Sequence, residues 1–203
     1  MTEKDFNNLT GWVDYDRPLL KTQALTKTQE IMYFKKRINM VLLLPLNEMY
    51  TSLMTNKEYS STVLCFGTCI CCSIEALGKF HTGNLGEGHS GANFQQYVKD
   101  YMDPDYSQEL NSNPYVNILW KSFRNGLAHG FTIKHGGFEH HNSYFKITNS
   151  YGVNQLEIDP TTFYNDFKQG VDKFIDKLDK VPSTDQIYIN FHKAFEDIFI
   201  RGN

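Results

Sequence analysis

The segment from about Tyr59 to Phe80 constrains the fold of this chain more than any other part of the sequence. Its large apolar residues recur at helical spacing, and apolar or small residues occupy most of the remaining positions. The stripe of large residues consists of Val63, Phe66, Ile70, Ile74 and Leu77. A helix that is apolar around most of its circumference has to be enclosed by other elements. The sequence therefore predicts a helical bundle with this segment at its centre.

Capping patterns mark the starts of the other helices. Thr or Ser followed three residues later by Gln, and Asp or Asn followed by Pro, are typical of a helix N-terminus. These patterns occur at Thr26 and Gln29, at Asn113 and Pro114, at Asp159 and Pro160, and at Ser183 and Gln186. The first helix should run to about Met54, with a kink at Pro45. A further short helix is expected from Asn93 to about Met102.

Alternating polar and apolar residues replace the helical spacing after Gly130. The strings FTIKHGGFE, SYFKIT and NQLEID, separated by turn-forming residues, predict two or three short antiparallel strands at about residues 131–158. The expected fold class is therefore mainly α, a helical bundle with a small antiparallel β-hairpin or meander. We expect a single domain over residues 26–203, which ends in C-terminal helices and follows an N-terminal arm of residues 1–25.

The charge balance limits the partners that the whole surface can attract. With a formal net charge of -3, no global positive field draws the chain onto nucleic acid or an anionic membrane, so any such binding has to be local. We expect no secretory signal, and we expect the apolar helix near residues 62–77 to be too short to span a bilayer. The predicted protein is soluble and cytoplasmic.

All the cysteines lie in the string CFGTCICC, at Cys65, Cys69, Cys71 and Cys72. This spacing is not that of a secreted disulfide framework, so the thiols should be reduced. On a helix, Cys65, Cys69 and Cys72 share one face with Ala76. Small side chains on that face favour the close approach of another helix. A thiolate metal site or a redox site is the alternative.

The string LWKSFRNGLAHGF, residues 119–131, carries polar residues on a helix that also has an apolar side. At about 100° per residue a stripe should face the core, and it consists of Val116, Trp120, Phe123 and Leu127. Ser122, Asn125 and His129 then lie on the opposite side, and Arg124 lies on the flank. Arg124 precedes His129 by five residues, so a straight helix should keep their side chains apart. A site that uses both needs a frayed last turn or a second surface.

A structural interpretation of this helix end is also available. Gly130 is a candidate for the residue just after the helix, and cationic side chains in a last turn interact favourably with the helix dipole and the last carbonyl groups.

The residues FRNGLAH resemble the Arg-Asn-x-x-x-His motif of the HEPN superfamily, with Arg124, Asn125 and His129 at the motif positions. The resemblance implies a HEPN-like bundle of about four helices that forms a homodimer through the motif helix. Many members resemble metal-independent endoribonucleases, so it implies RNA cleavage by attack of the 2′-hydroxyl, with no metal and no cofactor. It also implies a toxin or defence role with an antitoxin partner. The alternative is a non-catalytic module for nucleotide binding or dimerisation.

The chemistry of these residue types agrees with cleavage of RNA. His129 is suited to proton transfer, Arg124 to stabilising charge on a phosphorane, and Asn125 to orienting the histidine or binding phosphate. Supporting roles are assigned to Lys121 and Ser122. The superfamily often has an acidic or polar residue on an earlier helix, and Glu75 is the candidate. Its alternative role is an ion pair with Lys79 on an exposed edge.

Two further groups of residues surround the motif in the sequence. Lys121, Lys134 and Lys146 are expected to form a local basic patch for RNA. Histidines at the start of the small sheet are the basis of an alternative metal site, and they are His129, His135, His140 and His141. No strong zinc-ligand spacing accompanies them, so exposed histidines in a polar hairpin are the favoured interpretation.

Overall fold

The structure is a computed structural model of the chain. Helices make up most of it. It describes residues 19–20, 25–55, 60–102, 104–110, 113–130, 132–133, 136–139, 145–150 and 153–201. The expected mainly α class is confirmed within these ranges. The N-terminal arm falls largely outside them.

The first long helix forms where the capping pattern predicts it and is interrupted near Pro45. Strand β1, Leu19–Leu20, precedes α1, Lys27–Ile38, whose N-terminus is closed by reciprocal hydrogen bonds between Thr26 and Gln29. A π-helical turn at Asn39–Leu43 then leads into α2, Leu44–Thr55. Proline has no N–H to donate and its ring displaces the carbonyl group of the preceding turn, so the wide turn accommodates it.

Helix α3, Ser60–Thr82, is the central helix of the fold. Its predicted stripe is buried, with Phe66, Ile70 and Ile74 at 0% exposure. The expectation that this segment is too short to span a bilayer is wrong, because Thr62–Thr82 has the length and the composition that a membrane span needs. More than half of it is buried within the fold. Such enclosure fits the core helix of a soluble protein.

Helix α4, Ser90–Tyr101, packs directly on α3. A Cβ atom at Gly78 would lie 2.2 Å from the carbonyl oxygen of Asn93, so only glycine permits this approach. The Asn93 amide donates to the carbonyl oxygen of Asn84 at 2.9 Å and accepts from the Thr82 hydroxyl at 2.6 Å. These bonds fasten the start of α4 to the end of α3.

A short turn and a small hairpin connect α4 to the helix that carries the motif. The 3-10 turn is Pro104–Ser107, and the paired strands are β2, Glu109–Leu110, and β3, Asn113–Pro114. The next helix starts after Pro114, which occupies the N-cap position itself. The prediction of Asn113 as the N-cap is therefore wrong by one residue, because Asn113 pairs with Leu110.

The motif helix, residues 115–130, is one continuous helix with a wide central turn. It consists of α5, Tyr115–Ile118, a π-helical segment, Leu119–Arg124, and α6, Asn125–Gly130. The backbone N–H of Asn125 donates to the carbonyl oxygen of Trp120, five residues earlier, as in a π-helix. Gly130 is the last residue of the helix and does not follow it.

The small sheet follows the motif helix as predicted, but its strands do not all run antiparallel. It contains β4, Gly136–Phe138, β5, Phe145–Ser150, and β6, Val153–Ile158, in the order β4-β6-β5. Strands β5 and β6 form the expected antiparallel hairpin, whereas β4 pairs with β6 in parallel. Alternation in a sequence indicates strands but does not fix their order or direction. The Phe138 ring packs edge-on against Phe123, with centroids 5.3 Å apart, so the sheet lies under the motif helix.

Two helices and a short strand complete the chain. Helix α7, Pro160–Lys180, starts at the predicted N-cap Asp159. Helix α8, Gln186–Phe199, starts at Asp185, whose carboxylate accepts from the Ile187 backbone N–H at 2.8 Å. The prediction of Ser183 as its cap is wrong, because a carboxylate closer to the helix supplies the acceptor. Strand β7, Ile200–Arg201, pairs in parallel with β1.

Phenylalanine rings from α1, α3, α7 and α8 form the centre of the core. Phe34 lies 4.8 Å from Phe80, 5.1 Å from Phe191 and 6.2 Å from Phe174, measured between ring centroids. The first pair is tilted and the other two are edge-on. Both arrangements avoid the face-to-face stacking that aromatic rings disfavour.

Helices α1 and α8 also share a buried polar cluster. The Glu30 carboxylate, 2% exposed, accepts from the Tyr188 hydroxyl at 2.8 Å and contacts His192 Nδ1 at 2.9 Å. Burial raises the pKa of Glu30 above 4.5, although the hydrogen bonds from Tyr188 and His192 oppose this shift. The folded state therefore binds a proton at Glu30 more readily than the unfolded chain does.

This shift predicts a pH-dependent difference between the wild type and Glu30→Gln. A carboxyl group whose folded pKa is raised stabilises the fold below the unfolded value, near 4.5, and this stability is lost as pH rises through the folded pKa. Glutamine does not titrate, so it does not lose stability in this way. The Tm of Glu30→Gln relative to that of the wild type should therefore rise as the pH is raised from 4. Glu87→Gln, a control at an exposed carboxylate outside this cluster, should follow the wild-type trend. A constant Tm difference between Glu30→Gln and wild type would contradict this assignment.

Candidate functional site

Burial along the motif helix repeats every four residues. Leu119, Phe123 and Leu127 are buried at intervals of four, and Ser122 and Gly126 are buried beside them. A regular α-helix has 3.6 residues per turn, so a strict period of four would drift around its surface. The π-helical segment makes wider turns and absorbs the excess. The buried face thus stays in line along the helix.

The same period aligns the polar residues on the outer face. Asn117, Lys121, Asn125 and His129 lie at intervals of four, and each is partly or fully exposed. Lys121, Asn125 and His129 line a cavity of about 370 Å3, together with Gly126, Gly130 and Thr132. An open, positively charged and polar surface therefore follows one side of the motif helix.

Arg124 precedes Asn125 in the sequence and lies beside this polar face. An ion pair with Glu75 of α3 fixes its side chain. Its Nε donates to Glu75 Oε2 at 2.7 Å, and its Nη2 also contacts that oxygen. The exposed fractions of the two side chains are only 17% and 10%, so water screens the pair poorly. The guanidinium also stacks on Trp120, 4.8 Å from the ring centroid. Arg124 is thus held from two sides in a defined orientation.

The remaining donors of the guanidinium point at the other motif residues. Arg124 Nη1 lies 2.9 Å from Asn125 Oδ1 and 3.2 Å from His129 Nε2. Arginine has no acceptor, so His129 Nε2 has to accept this bond. A neutral His129 ring in this contact therefore carries its proton on Nδ1. The arrangement places a basic nitrogen, a fixed cation and an amide at the edge of one cavity.

The structure changes two expectations about the motif helix. Arg124 and His129 contact each other within a single chain, on a helix that contains a π-helical segment, so their contact requires neither a frayed last turn nor a second surface. The long arginine side chain reaches past Asn125 to the histidine. Ser122 is 5% exposed and lies on the inner face, so its predicted outward position is wrong. Because burial along this helix repeats every four residues, Ser122 lies on the buried face with Gly126.

The supporting residues occupy different positions around the site. Glu75 pairs with Arg124, and not with Lys79 on an exposed edge as the alternative supposed. Lys121 lines the cavity and is exposed. Trp120 was predicted only as a core residue, although its spacing of four from Arg124 is a signal for the cation–π contact.

The predicted basic patch and histidine cluster fall mostly on residues that the structure does not describe. Lys134, His135, His140 and His141 lie outside the described residues, as does the side chain of Lys146. Within the described ranges, no group of three or more His, Cys, Asp or Glu side chains is arranged to hold a metal ion. The basic patch and the alternative histidine metal site remain predictions.

The predicted cysteine face borders the site on α3. Cys65, Cys69, Cys72 and Ala76 are exposed, while Cys71 is buried. Burial raises the pKa of Cys69, of Cys71 and of Cys72, although Arg124 nearby lowers that of Cys72 to a lesser degree. These groups are therefore thiols at neutral pH, which disfavours redox chemistry that requires a thiolate.

Comparison with known proteins finds no matching family model, no matching curated protein and no matching solved structure. The interpretation of the site therefore depends on its own residues and on the resemblance of the motif.

Gly126 sets the shape of the cavity floor. The chain folds back over the last turn of the motif helix, and the Thr132 backbone N–H donates to the Gly126 carbonyl oxygen at 3.2 Å. A Cβ atom at Gly126 would lie 2.3 Å from the Thr132 carbonyl oxygen, which is rigid backbone. At Gly130, a Cβ atom would make an ordinary contact of 3.5 Å with the Thr132 side chain.

Gly126→Ala should therefore lower the free energy of unfolding by about 1–3 kcal/mol, because the segment at Thr132 has to move. Gly130→Ala is the matched control in the same helix and should be neutral, or stabilising by about 0.4–1 kcal/mol. Urea denaturation of both variants measures the difference. Equal stability of the two variants would show that Thr132 does not pack on Gly126.

Proposed function

We propose that this protein is a HEPN-like, metal-independent endoribonuclease located in the cytoplasm. The observation that carries this proposal is the contact of 3.2 Å between Arg124 Nη1 and His129 Nε2 beside an open cavity that also presents Lys121 and Asn125. A general base, a fixed cation and additional phosphate-binding groups are the requirements for cleaving RNA without a metal.

In the proposed reaction, a phosphate group of RNA displaces His129 from Arg124. Its oxygens take over the Nη1 donors that Asn125 and His129 share in the free protein, and Lys121 adds a second cation. His129 Nε2 is then free to accept the proton of the 2′-hydroxyl. The 2′-oxygen attacks phosphorus, the bond to the 5′-oxygen breaks, and that oxygen takes up a proton. The products are a 2′,3′-cyclic phosphate and a 5′-hydroxyl end.

A homodimer through the motif helices would supply the second proton donor, since a second His129 would face the leaving oxygen. The neighbouring face of α3 supports this arrangement. Its residues Cys65, Cys69, Cys72 and Ala76 are small and exposed, so a second copy could approach α3 closely. In a toxin role, a regulatory antitoxin would bind where it covers this cleft.

One observation favours the alternative of a non-catalytic module for nucleotide binding or dimerisation. The described donors of Arg124 are largely occupied within the chain, by Glu75, Asn125 and His129. Such a network can also serve only to hold the helix end in place. Catalysis requires that a phosphate displace part of it.

The test compares cleavage of mixed single-stranded RNA, with a chelator present, by wild type, His129→Ala and Arg124→Ala. Loss of the general base should reduce the rate by about 10²–10⁴-fold, and loss of the cation by about 10²–10³-fold. His89→Ala replaces an exposed histidine at the start of α4 and should retain full activity. Mass spectrometry should find cyclic phosphate ends.

Equal cleavage by all variants, or cleavage that the chelator abolishes, would contradict the assignment. Absence of cleavage together with an intact dimer, or with thermal stabilisation by mononucleotides, would favour the non-catalytic alternative.

A further inference from the structure

A second cavity lies between α4 and the first turn of the motif helix. Its volume is about 460 Å3, within the range of small-molecule sites. Polar groups on its wall come from Gln95, Gln96 and Lys99 of α4 and from Asn117 of the motif helix. Pro114, Val116, Ala92 and Val98 supply apolar surface. We call this cavity the amide groove.

The amide groove offers free hydrogen-bonding groups beside apolar walls. Within the described part of the chain, the side-chain amides of Gln95 and Asn117 are not engaged in hydrogen bonds, while Gln96 donates to the Asp100 carboxylate at 2.8 Å. An amide presents a donor and an acceptor side by side. The edges of nucleobases present the complementary pattern, and amide side chains pair with them in two-bond contacts. Apolar walls accept the flat faces of a base.

The amide groove and the cavity at the motif are lined by residues of the same helix. Asn117, Lys121, Asn125 and His129 occupy the same face of one helix because of the four-residue period described above. At a rise of 1.5 Å per residue, the Cα atoms of Asn117 and Asn125 are about 12 Å apart along the helix axis. Lys121 lines the cavity at the motif and lies four residues after Asn117, which lines the amide groove. A single strand whose phosphate lies against Lys121 can therefore reach both.

We propose that the amide groove binds a nucleobase, that of a nucleotide adjacent to the phosphate held at Arg124 and His129. The position of this nucleotide next to the bound phosphate rests on the proposed function, whereas the binding of its base does not. Phosphate contacts carry no sequence information, and base contacts supply it. The amide groove would then give the enzyme its preference among RNA sequences.

The first experiment measures base binding without cleavage. Adenosine is titrated into the isotope-labelled full chain, with ribose 5-phosphate as the probe that lacks a base. The side-chain amide signals of Gln95 and Asn117 should shift with adenosine and not with ribose 5-phosphate. These shifts should persist in His129→Ala. The double variant Gln95→Met and Asn117→Leu keeps side-chain volume while removing the amides, so binding to it is followed at the backbone N–H signals of Ala92 and Lys99, which also line the groove. Those signals should shift with adenosine in the wild type and stay unshifted in the double variant.

A matched double variant, Asn165→Leu and Gln169→Met on the exposed face of α7, should behave as wild type. The two single variants repeat the titration if the double variant does not fold, and each should weaken the response. Shifts confined to Lys121, Asn125 and His129, or no shifts with adenosine, would overturn the proposal.

The second experiment uses RNA cleavage. Loss of both amides should raise KM by tenfold or more with kcat little changed, because contacts to a flanking base are present before and during the reaction. An unchanged KM would overturn the proposal that the amide groove holds the substrate's base. If the protein binds adenosine as described but no variant cleaves RNA, the proposed function fails and base binding stands.

Discussion

The ion pair between Glu75 and Arg124 is the interaction on which the candidate site depends. A carboxylate within an apolar central helix is costly to bury unless a cation meets it. Arg124 does so from the motif helix, and Trp120 supports the guanidinium from the side. Two of the arginine nitrogens are thereby committed to the interior, and the third is left to face Asn125 and His129. The core of the fold thus determines the geometry of a surface site.

The wide turn in the middle of the motif helix extends the polar face along the whole helix. Because burial repeats every four residues, one face packs on the core, against α3 and through Phe123 against the small sheet, and the opposite face keeps its polar residues in register from Asn117 to His129. π-Helical segments often occur at functional sites. Here the segment lies between Asn117, which lines one cavity, and Asn125, which lines the other. Since Glu75 offsets the charge of Arg124, Lys121 supplies the net positive charge for an anionic ligand, which matters in a chain whose formal net charge is -3.

Hydrophobic periodicity and capping chemistry were sufficient to predict the central helix, the cap at Thr26 and the cap at Asp159, since these depend on local sequence. The direction of β4 and the burial of Ser122 were not predictable in the same way. Strand direction is decided by tertiary pairing, and the π-helical segment changes the period that any regular helical projection assumes. The motif residues were identified from the sequence, but the contact between Arg124 and His129 depends on how far an arginine side chain extends once Glu75 and Trp120 have oriented it.

Nitrogen NMR of the His129 ring tests the central claim most directly, namely that Arg124, fixed by Glu75, donates to Nε2 of this histidine. The neutral ring should carry its proton on Nδ1, and the Nε2 resonance should be that of an unprotonated nitrogen that accepts a hydrogen bond. Glu75→Gln removes the charge that holds the guanidinium and should move the Nε2 resonance toward that of a free ring. A proton on Nε2 in the wild type, or a resonance that Glu75→Gln leaves unchanged, would contradict the account.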